Sequence, residues 1–306
     1  MDVGEFEALR PYLFAIAYRM LGRASEAEDV VQDAWVRYQT AAPPALDSLK
    51  AYLTTIVTRL CLDRLKAART TREQYVGPWL PEPILTDGPT DPEQLMARYE
   101  SITMGFLVLL ETLTPPERAV FLLREVFDYD YDAIATMLDT TPANCRQLLS
   151  RAKSRIAEGR PRAERHNPRA GADPRVGPHD ETPRRLIEAF VHAMERGDPG
   201  ELAAMLTDDV EFWADGGGKV AAAGRPLFGR DSVMKLLLGR RRTAANLGVS
   251  MSSNVSLVNG EPAIVVRVGP RIDSVYVCSI ADGRVAAIHA VRNPDKQEYL
   301  KGQLQG

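Results

Sequence analysis

The strongest constraint on what this chain can fold into lies between Leu113 and Ile156, where helix starts and breaks follow one another at short, regular intervals. Thr114-Pro115-Pro116-Glu117 combines a capping box with proline in the first helical turn, so a helix opens there. It runs through Val120, Leu123, Arg124 and Val126 and breaks at Asp128-Tyr129-Asp130. A short helix follows, with Tyr131, Ile134, Ala135 and Leu138 on one face. Asp139-Thr140 makes the turn, and Thr141-Pro142 supplies the N-cap and first position of a further helix. There Cys145, Leu148, Leu149, Ala152 and Ile156 recur at helical spacing and are expected to be buried. The opposite face carries Asn144, Arg146, Gln147, Ser150, Arg151 and Lys153, long donors and amides that suit phosphates and purine edges in a major groove. A helical hairpin with a solvated basic face would show the same pattern, so the rest of the chain has to decide.

A length of 306 residues allows two or three domains, each with its own core. The net charge of −3 and a pI near 5.9 argue against a free-standing, tight nucleic-acid binder. The bases are nevertheless clustered. Lys50, Arg59, Arg64, Lys66, Arg69 and Arg72 face only Asp63 before Glu73, and seven bases from Arg146 to Arg165 face only Glu158 and Glu164. Two basic patches in an acidic chain point to DNA contact made as part of a larger assembly. The cysteines, Cys61, Cys145 and Cys278, are odd in number and far apart, with neither metal spacing nor a disulfide framework, which fits a reducing cytoplasm. No apolar run has the length of a membrane helix, and no secretory signal pattern opens the chain, so no membrane role is expected.

Residues 5–70 read as helices. Phe6, Leu9, Leu13, Ile16 and Met20 form one apolar stripe ended by Gly22, and Ser25-Glu26-Ala27-Glu28 reads as a second capping box. The helix it opens turns Ala27, Val30, Val31, Ala34, Trp35 and Tyr38 inward and Asp29, Gln32 and Asp33 outward. After Pro43-Pro44, Asp47 caps a long helix with Leu49, Leu53, Ile56, Val57, Leu60 and Cys61 buried and Lys50, Arg59, Arg64 and Lys66 outside. The prolines and glycines of residues 71–92 mark a linker rather than a packed element, and a helix from about Pro92 to Thr112 leads into the helix–turn–helix unit. Residues 159–183 read as a second linker. Beyond it, helices near Leu186–Met194 and Glu201–Leu206 precede the run Val210–Trp213, a glycine-rich turn and a helix near Asp231–Leu238. Strand-like runs follow at Val249–Val258, Ala263–Val268, Ser274–Ile280 and Val285–Val291, the last after an Asp282-Gly283 hairpin signal. The expected organisation is therefore 1–75, a linker 76–104, 105–158, a linker 159–182, and an α+β domain 183–306.

Glu28-Asp29-Val30-Val31-Gln32-Asp33-Ala34-Trp35, the helix Leu49–Arg69 and the unit Leu113–Ile156 resemble, in order and spacing, the extracytoplasmic-function class of RNA polymerase sigma factors. The resemblance implies that Asp29, Gln32 and Asp33 meet the core polymerase. It implies that Lys50, Arg59, Arg64 and Lys66 lie along the −10 element, and that the last helix of the unit reads the −35 element. The loop Ala41–Asp47 is where this family holds an unstacked base. Asp139 departs from the family, which has glycine in that turn, although Asp tolerates the left-handed conformation. The C-terminal third resembles a SnoaL-like domain, a cone-shaped barrel with a pocket. Trp79-Leu80-Pro81-Glu82-Pro83, Asp215-Gly216-Gly217-Gly218-Lys219 and Asn293-Pro294-Asp295-Lys296 narrow the likeness to SigJ-like factors that carry this domain. It implies two all-α domains before an α+β domain that regulates them in cis. On this reading the first linker supplies a stiff apolar edge at Trp79, and Asn293–Lys296 forms a free arm beyond the last strand.

The alternative is that the SnoaL-like domain is a working enzyme of the isomerase or cyclase type. Candidate acids and bases are Asp208, Asp209, Asp215 and His289. His289 alternates with Ala287 and Val291 and so faces either the pocket or solvent, and the expectation is no catalytic residue. The Asp215–Lys219 loop lacks the strand-to-helix setting of a phosphate loop, and no cofactor or metal is expected. The expected partners are core polymerase and promoter DNA, with room for a small ligand in the SnoaL-like pocket.

Overall fold

The computed structural model describes residues 3–41, 48–86, 103–159 and 181–305. The loop expected to hold a base, most of the expected linker helix from Pro92, and nearly all of the second linker lie outside the described residues, as do the side chains of Arg69 and Arg72. The chain divides into two compact units, one built from residues up to Gln74 and from Leu107–Gly159, the other from Tyr75 to Pro92, from Glu100 to Phe106 and from Arg160 onward.

The first unit is helical throughout. Helices α1 (Val3–Leu21), α2 (Ala24–Ala41) and α3 (Leu49–Glu73) pack through Phe6, Leu13, Ile16, Met20, Val30, Val31, Ala34, Leu53, Val57 and Cys61, all buried. Two expected helix starts move. Helix α2 begins at Ala24, which leaves Ser25 inside it, and Glu28 pairs with Arg10 at 3.0 Å. The N-cap of α3 is Ser48, whose Oγ accepts from Ala51 N at 3.2 Å. After α4 (Met104–Leu110), α5 (Pro115–Phe121) opens where expected, with Glu117 accepting from Thr114 N at 2.9 Å. It widens into a π turn over Leu122–Val126 and stops at Asp128, which is left-handed at φ 56°. Asp130 caps α6 (Tyr131–Leu138) by accepting from Ala133 N at 2.7 Å. Asp139 ends α6 in the left-handed region, φ 52°, so the position where the family has glycine keeps the glycine conformation. Helix α7 (Pro142–Gly159) follows after the three residues Asp139, Thr140 and Thr141.

In the second unit, α8 (Glu181–Arg196), α9 (Pro199–Met205) and α10 (Arg230–Asn246) lie against one face of a six-stranded sheet. The strands are β1 (Leu206–Asp215), β2 (Leu227–Phe228), β3 (Met251–Val258), β4 (Glu261–Val268), β5 (Arg271–Ala281) and β6 (Arg284–Val291), in the order β2-β1-β6-β5-β4-β3. Only β1 and β6 pair in parallel; the rest form an antiparallel meander. Register shifts in β1/β6, β4/β5 and β5/β6 bend the sheet around its core, and edges at β2 and β3 leave the cone open. The Asn259-Gly260 turn between β3 and β4 has φ 55° and 71°, the conformation that this residue pair favours in a tight hairpin. The chain ends in a 3-10 turn (Pro294–Gln297) and α11 (Glu298–Gln303). No helix among the described residues is long and apolar enough to cross a membrane.

One packing layer differs from the sequence reading. Strand alternation places Ile264, Val266, Tyr276, Cys278 and Ile288 in the core beneath the helices, and turns Val265, Val275, Val277, His289 and Asp215 to the other face. That second face is also dry, covered by residues 75–86 and by the C-terminal turn and helix. Leu80, Pro81, Glu82, Pro83, Ile84 and Leu85 are all buried, and Leu85 bridges to Val258. Residues 75–86 thus have almost no regular secondary structure, as their prolines require, yet they form a packed element. The expected free arm is likewise docked, with Lys296 3% exposed.

Candidate functional site

Helix α7 buries Cys145, Leu149, Ala152 and Ile156, as the spacing requires, leaves Leu148, also expected inside, only half-buried at the edge of that core, and exposes all six residues expected on its opposite face. Asn144 is held by its turn: its amide N donates to Thr141 Oγ1 at 3.2 Å and its Nδ2 to Thr140 Oγ1 at 2.9 Å. The Arg146 guanidinium lies 5.1 Å from the Tyr131 ring centre, which fixes its direction off the helix. Lys153 pairs with Glu125 at 3.0 Å. Gln147, Ser150 and Arg151 face solvent. Arg155, one turn after Arg151 on the same side, was not singled out from sequence; it is exposed beside Glu117 at 3.4 Å.

In α2, Asp29, Gln32 and Asp33 are exposed together, the outward face that helical spacing implies. Arg64 of α3 reaches them, with Nη2 2.8 Å from Asp33, Nη1 3.7 Å from Asp29, and a hydrogen bond from Nη1 to the Glu26 carbonyl at 3.1 Å. The other expected phosphate contacts are similarly occupied. Arg59 donates from Nε to the Met137 carbonyl at 2.8 Å and from Nη2 to that of Thr136 at 3.3 Å, so its charge sits on the C-terminal end of α6. Lys50 Nζ stands 4.0 Å above the Tyr12 ring, and Lys66 lies 3.7 Å from Asp63 in solvent. The three hydroxyls of Tyr12, Thr54 and Tyr129 join α1, α3 and the loop before α6 at 3.0 and 3.1 Å. In the first unit, then, α3 faces the helix–turn–helix rather than presenting a free basic stripe.

The second unit assembles the three remaining motifs in one place. Asp215, fully buried, accepts from Tyr75 Oη at 2.6 Å, Leu80 N at 2.8 Å and Lys296 Nζ at 2.6 Å. Lys296 also donates to the Leu80 carbonyl at 2.5 Å and sits 3.8 Å from the Trp79 ring centre and 4.8 Å from that of Tyr75. This ion pair is tolerable in a dry seam because both charges have further partners. Asn293 donates to Tyr75 Oη at 2.8 Å, and Lys219 pairs with Asp295 at 2.5 Å. Gly217, at φ 59°, leaves no room for a Cβ against the Asn293 side chain, and Gly218 lies against Val76. Pro294 opens the 3-10 turn that aims Lys296 inward, and Gly216 is pressed against the Val220 carbonyl. Tyr75 escaped the sequence reading, and nothing in its neighbourhood marks it. Two other anchors did have a signal or a partner to find: Asn259, in an Asn-Gly pair, accepts from Ile84 N at 3.1 Å, and buried Glu261 accepts from Met104 N at 2.6 Å.

The cone holds a cavity of about 240 Å3, walled by Phe190, Leu237, Ile264, Tyr276, Cys278 and Ile288 among others. None of the four candidate acids and bases lines it. Asp215 is committed to the seam, exposed Asp208 pairs with Arg230, and Asp209 is half-buried near the start of β1. His289 faces neither the cavity nor solvent, as had been expected, but lies buried on the seam side of β6. Both of its ring nitrogens lack a hydrogen-bond partner among the described residues, and burial holds its pKa down at about 4.

The description Sigma-70 region 2 matches residues 6–71, and that of Sigma-70, region 4 matches residues 104–156. The chain is 36% identical to the ECF RNA polymerase sigma factor SigJ of Mycobacterium tuberculosis, an alignment covering 97% of this chain and 93% of that one. The chain belongs to the ECF RNA polymerase sigma factors. A probable ECF sigma factor of the same organism, SigI, is 31% identical over 98% of this chain and 96% of its own length. The crystal structure of M. tuberculosis SigJ superposes with a TM-score of 0.73 at 32% identity, covering 97% of this chain and 98% of that one. As an ECF sigma factor this chain serves RNA polymerase in promoter-directed transcription, with α1–α3 as region 2, α4–α7 as region 4 and an α+β domain after them.

Proposed function

We propose that this sigma factor is regulated in cis by its own C-terminal domain, acting through the segment that joins region 2 to region 4. The observation that carries the reading is the buried Asp215–Lys296 pair, which holds Tyr75, Trp79 and Leu80 of that joining segment against the sheet. A linker between two promoter-contacting regions limits how they can spread on DNA, so a domain that grips it biases their separation. Asp29, Gln32 and Asp33 take the core polymerase, which requires Arg64 to let go of the two acids. Lys50, Arg59, Arg64 and Lys66 serve the −10 element once Arg59 leaves the end of α6. Asn144, Arg146, Gln147, Ser150, Arg151 and Lys153 serve the −35 element. Work on polymerase and promoter places the protein in the cytoplasm.

The C-terminal domain regulates rather than catalyses, because Asp215 and His289 stand on the far face of the sheet from the cavity and neither Asp208 nor Asp209 lines it. Cys278, within it, is pushed up by burial and stays a thiol. The test is run-off transcription with reconstituted core polymerase at equal protein levels. Releasing the seam with Lys296→Met should change promoter-specific output several-fold, and Arg146→Ala/Arg151→Ala should abolish preference for the −35 sequence. Unchanged output from the first variant overturns the regulatory reading, and unchanged preference in the second overturns the reading helix.

A further inference from the structure

The cavity in the SnoaL-like domain has a dry floor and an unfinished rim. Ile264, Val266 and Ile288 of the sheet and Phe190 and Leu237 of the helices are buried and apolar. At the mouth, Val249 and Met251 remain 37% and 39% exposed, and Leu247 beside them 72%. Large apolar groups left in water around an apolar hole mark a surface that a ligand covers. Charge at the mouth is not balanced. Arg240 shares Asp273, at 3.0 Å, with Arg292 at 3.2 Å, and Glu195 has His192 at 3.6 Å, a partner that is charged only when protonated. Arg241 lines the mouth, is exposed, and makes no ion pair among the described residues.

Size narrows the occupant. An engineered apolar cavity of about 150 Å3 takes up benzene, whereas drug-sized ligands need roughly 300 Å3 or more. At about 240 Å3 this cavity falls between them. We propose that it binds a small apolar monoanion, a medium-chain or aryl carboxylate, with the apolar body on Ile264, Val266 and Ile288 and the acidic head at Arg241. Such a molecule would be held and not turned over, since none of Asp208, Asp209, Asp215 and His289 reaches the lining. The consequence for transcription rests on the regulatory reading above. β5 and β6 present Tyr276, Cys278 and Ile288 to the cavity, and Val277 and His289 to the joining segment, so the two sites share one layer of strands.

Binding is measured on the full-length protein by calorimetry, with octanoate and 1-naphthoate as probes and 1-octanol as the uncharged control. No transcription enters the assay, so its failure leaves the reading of the seam standing, and the converse also holds. At least one carboxylate should bind in the micromolar range. Ala244→Trp, which places an indole at the half-buried rim of α10, should weaken it by about tenfold or more. Arg241→Gln should weaken the carboxylate by about fivefold while leaving 1-octanol unchanged. Circular dichroism of both variants verifies that they fold. Failure of both carboxylates to bind below millimolar concentration overturns the proposal, as does undiminished binding to folded Ala244→Trp. Equal loss of octanoate and octanol in Arg241→Gln overturns the assignment of the acidic head.

Discussion

His289 shows how much a single buried side chain can determine. In the unfolded chain its imidazole takes up a proton near its ordinary value of 6.5, whereas the folded chain resists until about 4. Stability is therefore complete above pH 6.5, falls as the pH drops through that window, and levels off below 4. The window corresponds to about 3 kcal/mol. Replacing His289 with Leu should remove this acid slope and, by deleting two unpartnered nitrogens, raise stability at neutral pH by roughly 1–3 kcal/mol. Urea unfolding followed by tryptophan fluorescence reports it, because Trp213 lies in register with His289 on the neighbouring strand. An unchanged slope would mean that another group carries the acid sensitivity. Gly217 sets a second test at this scale. Ala there adds both a left-handed strain and a clash with Asn293, so Gly217→Ala should loosen the loop and expose the joining segment to limited proteolysis. Strand alternation in the sequence left His289 two destinations, pocket or solvent. The third, a covering segment about two hundred residues earlier in the chain, leaves no trace in a period-two pattern.

At the scale of elements, α7 and the π turn at the end of α5 carry opposing charges. Glu125 neutralises Lys153 at 3.0 Å on a surface expected to meet phosphates. Glu125→Gln should free that lysine, tighten binding to any duplex alike and steepen its salt dependence by about one unit of log–log slope. Filter binding on promoter and scrambled DNA over a salt series measures both. A gain confined to the promoter would place Lys153 on a base edge instead. Arg59 makes a complementary case, since its guanidinium holds the carbonyl end of α6. Arg59→Ala should ease region 2 from region 4, seen as faster amide exchange at Thr136 and Met137, while it weakens −10 engagement. The helices themselves were largely legible. Capping residues at Thr114 and Thr141, the break at Asp128-Tyr129-Asp130 and the apolar spacing of α7 placed them within a residue or two, because those signals are local. Four of the five long strands, β3 to β6, were legible for the same reason, from alternation and turn residues, and β1 only as the run Val210–Trp213. The two-residue strand β2 was not, being too short to alternate, and the packed state of residues 75–86 was hidden because proline-rich composition reports the absence of secondary structure, not the absence of contacts.

Across the whole molecule, the seam is where distant parts of the sequence meet, with hydrogen bonds joining residues 135 to 218 positions apart. Polar residues scattered over such distances have no periodicity to read, so the three motifs could be seen as belonging together only through resemblance. Their energetics can now be separated. Lys296 and Asp215 are 3% and 0% exposed. Removing one charge of a buried pair strands the other, at a cost of about 3–5 kcal/mol, whereas replacing both with apolar groups is close to neutral. Asp215 keeps Tyr75 Oη and Leu80 N as donors when Lys296 is lost, which favours the lower end of that range. Lys296→Met should therefore destabilise the second unit by about 3 kcal/mol. Asp215→Leu/Lys296→Met should recover much of that loss without recovering the grip on Leu80. The two variants thus differ in stability but share a released joining segment. If the seam regulates transcription through that segment, both should shift promoter output in the same direction and to a similar extent. If output instead follows stability, with the double variant returning to the parent level, the seam only holds the domain together and regulation must be sought elsewhere.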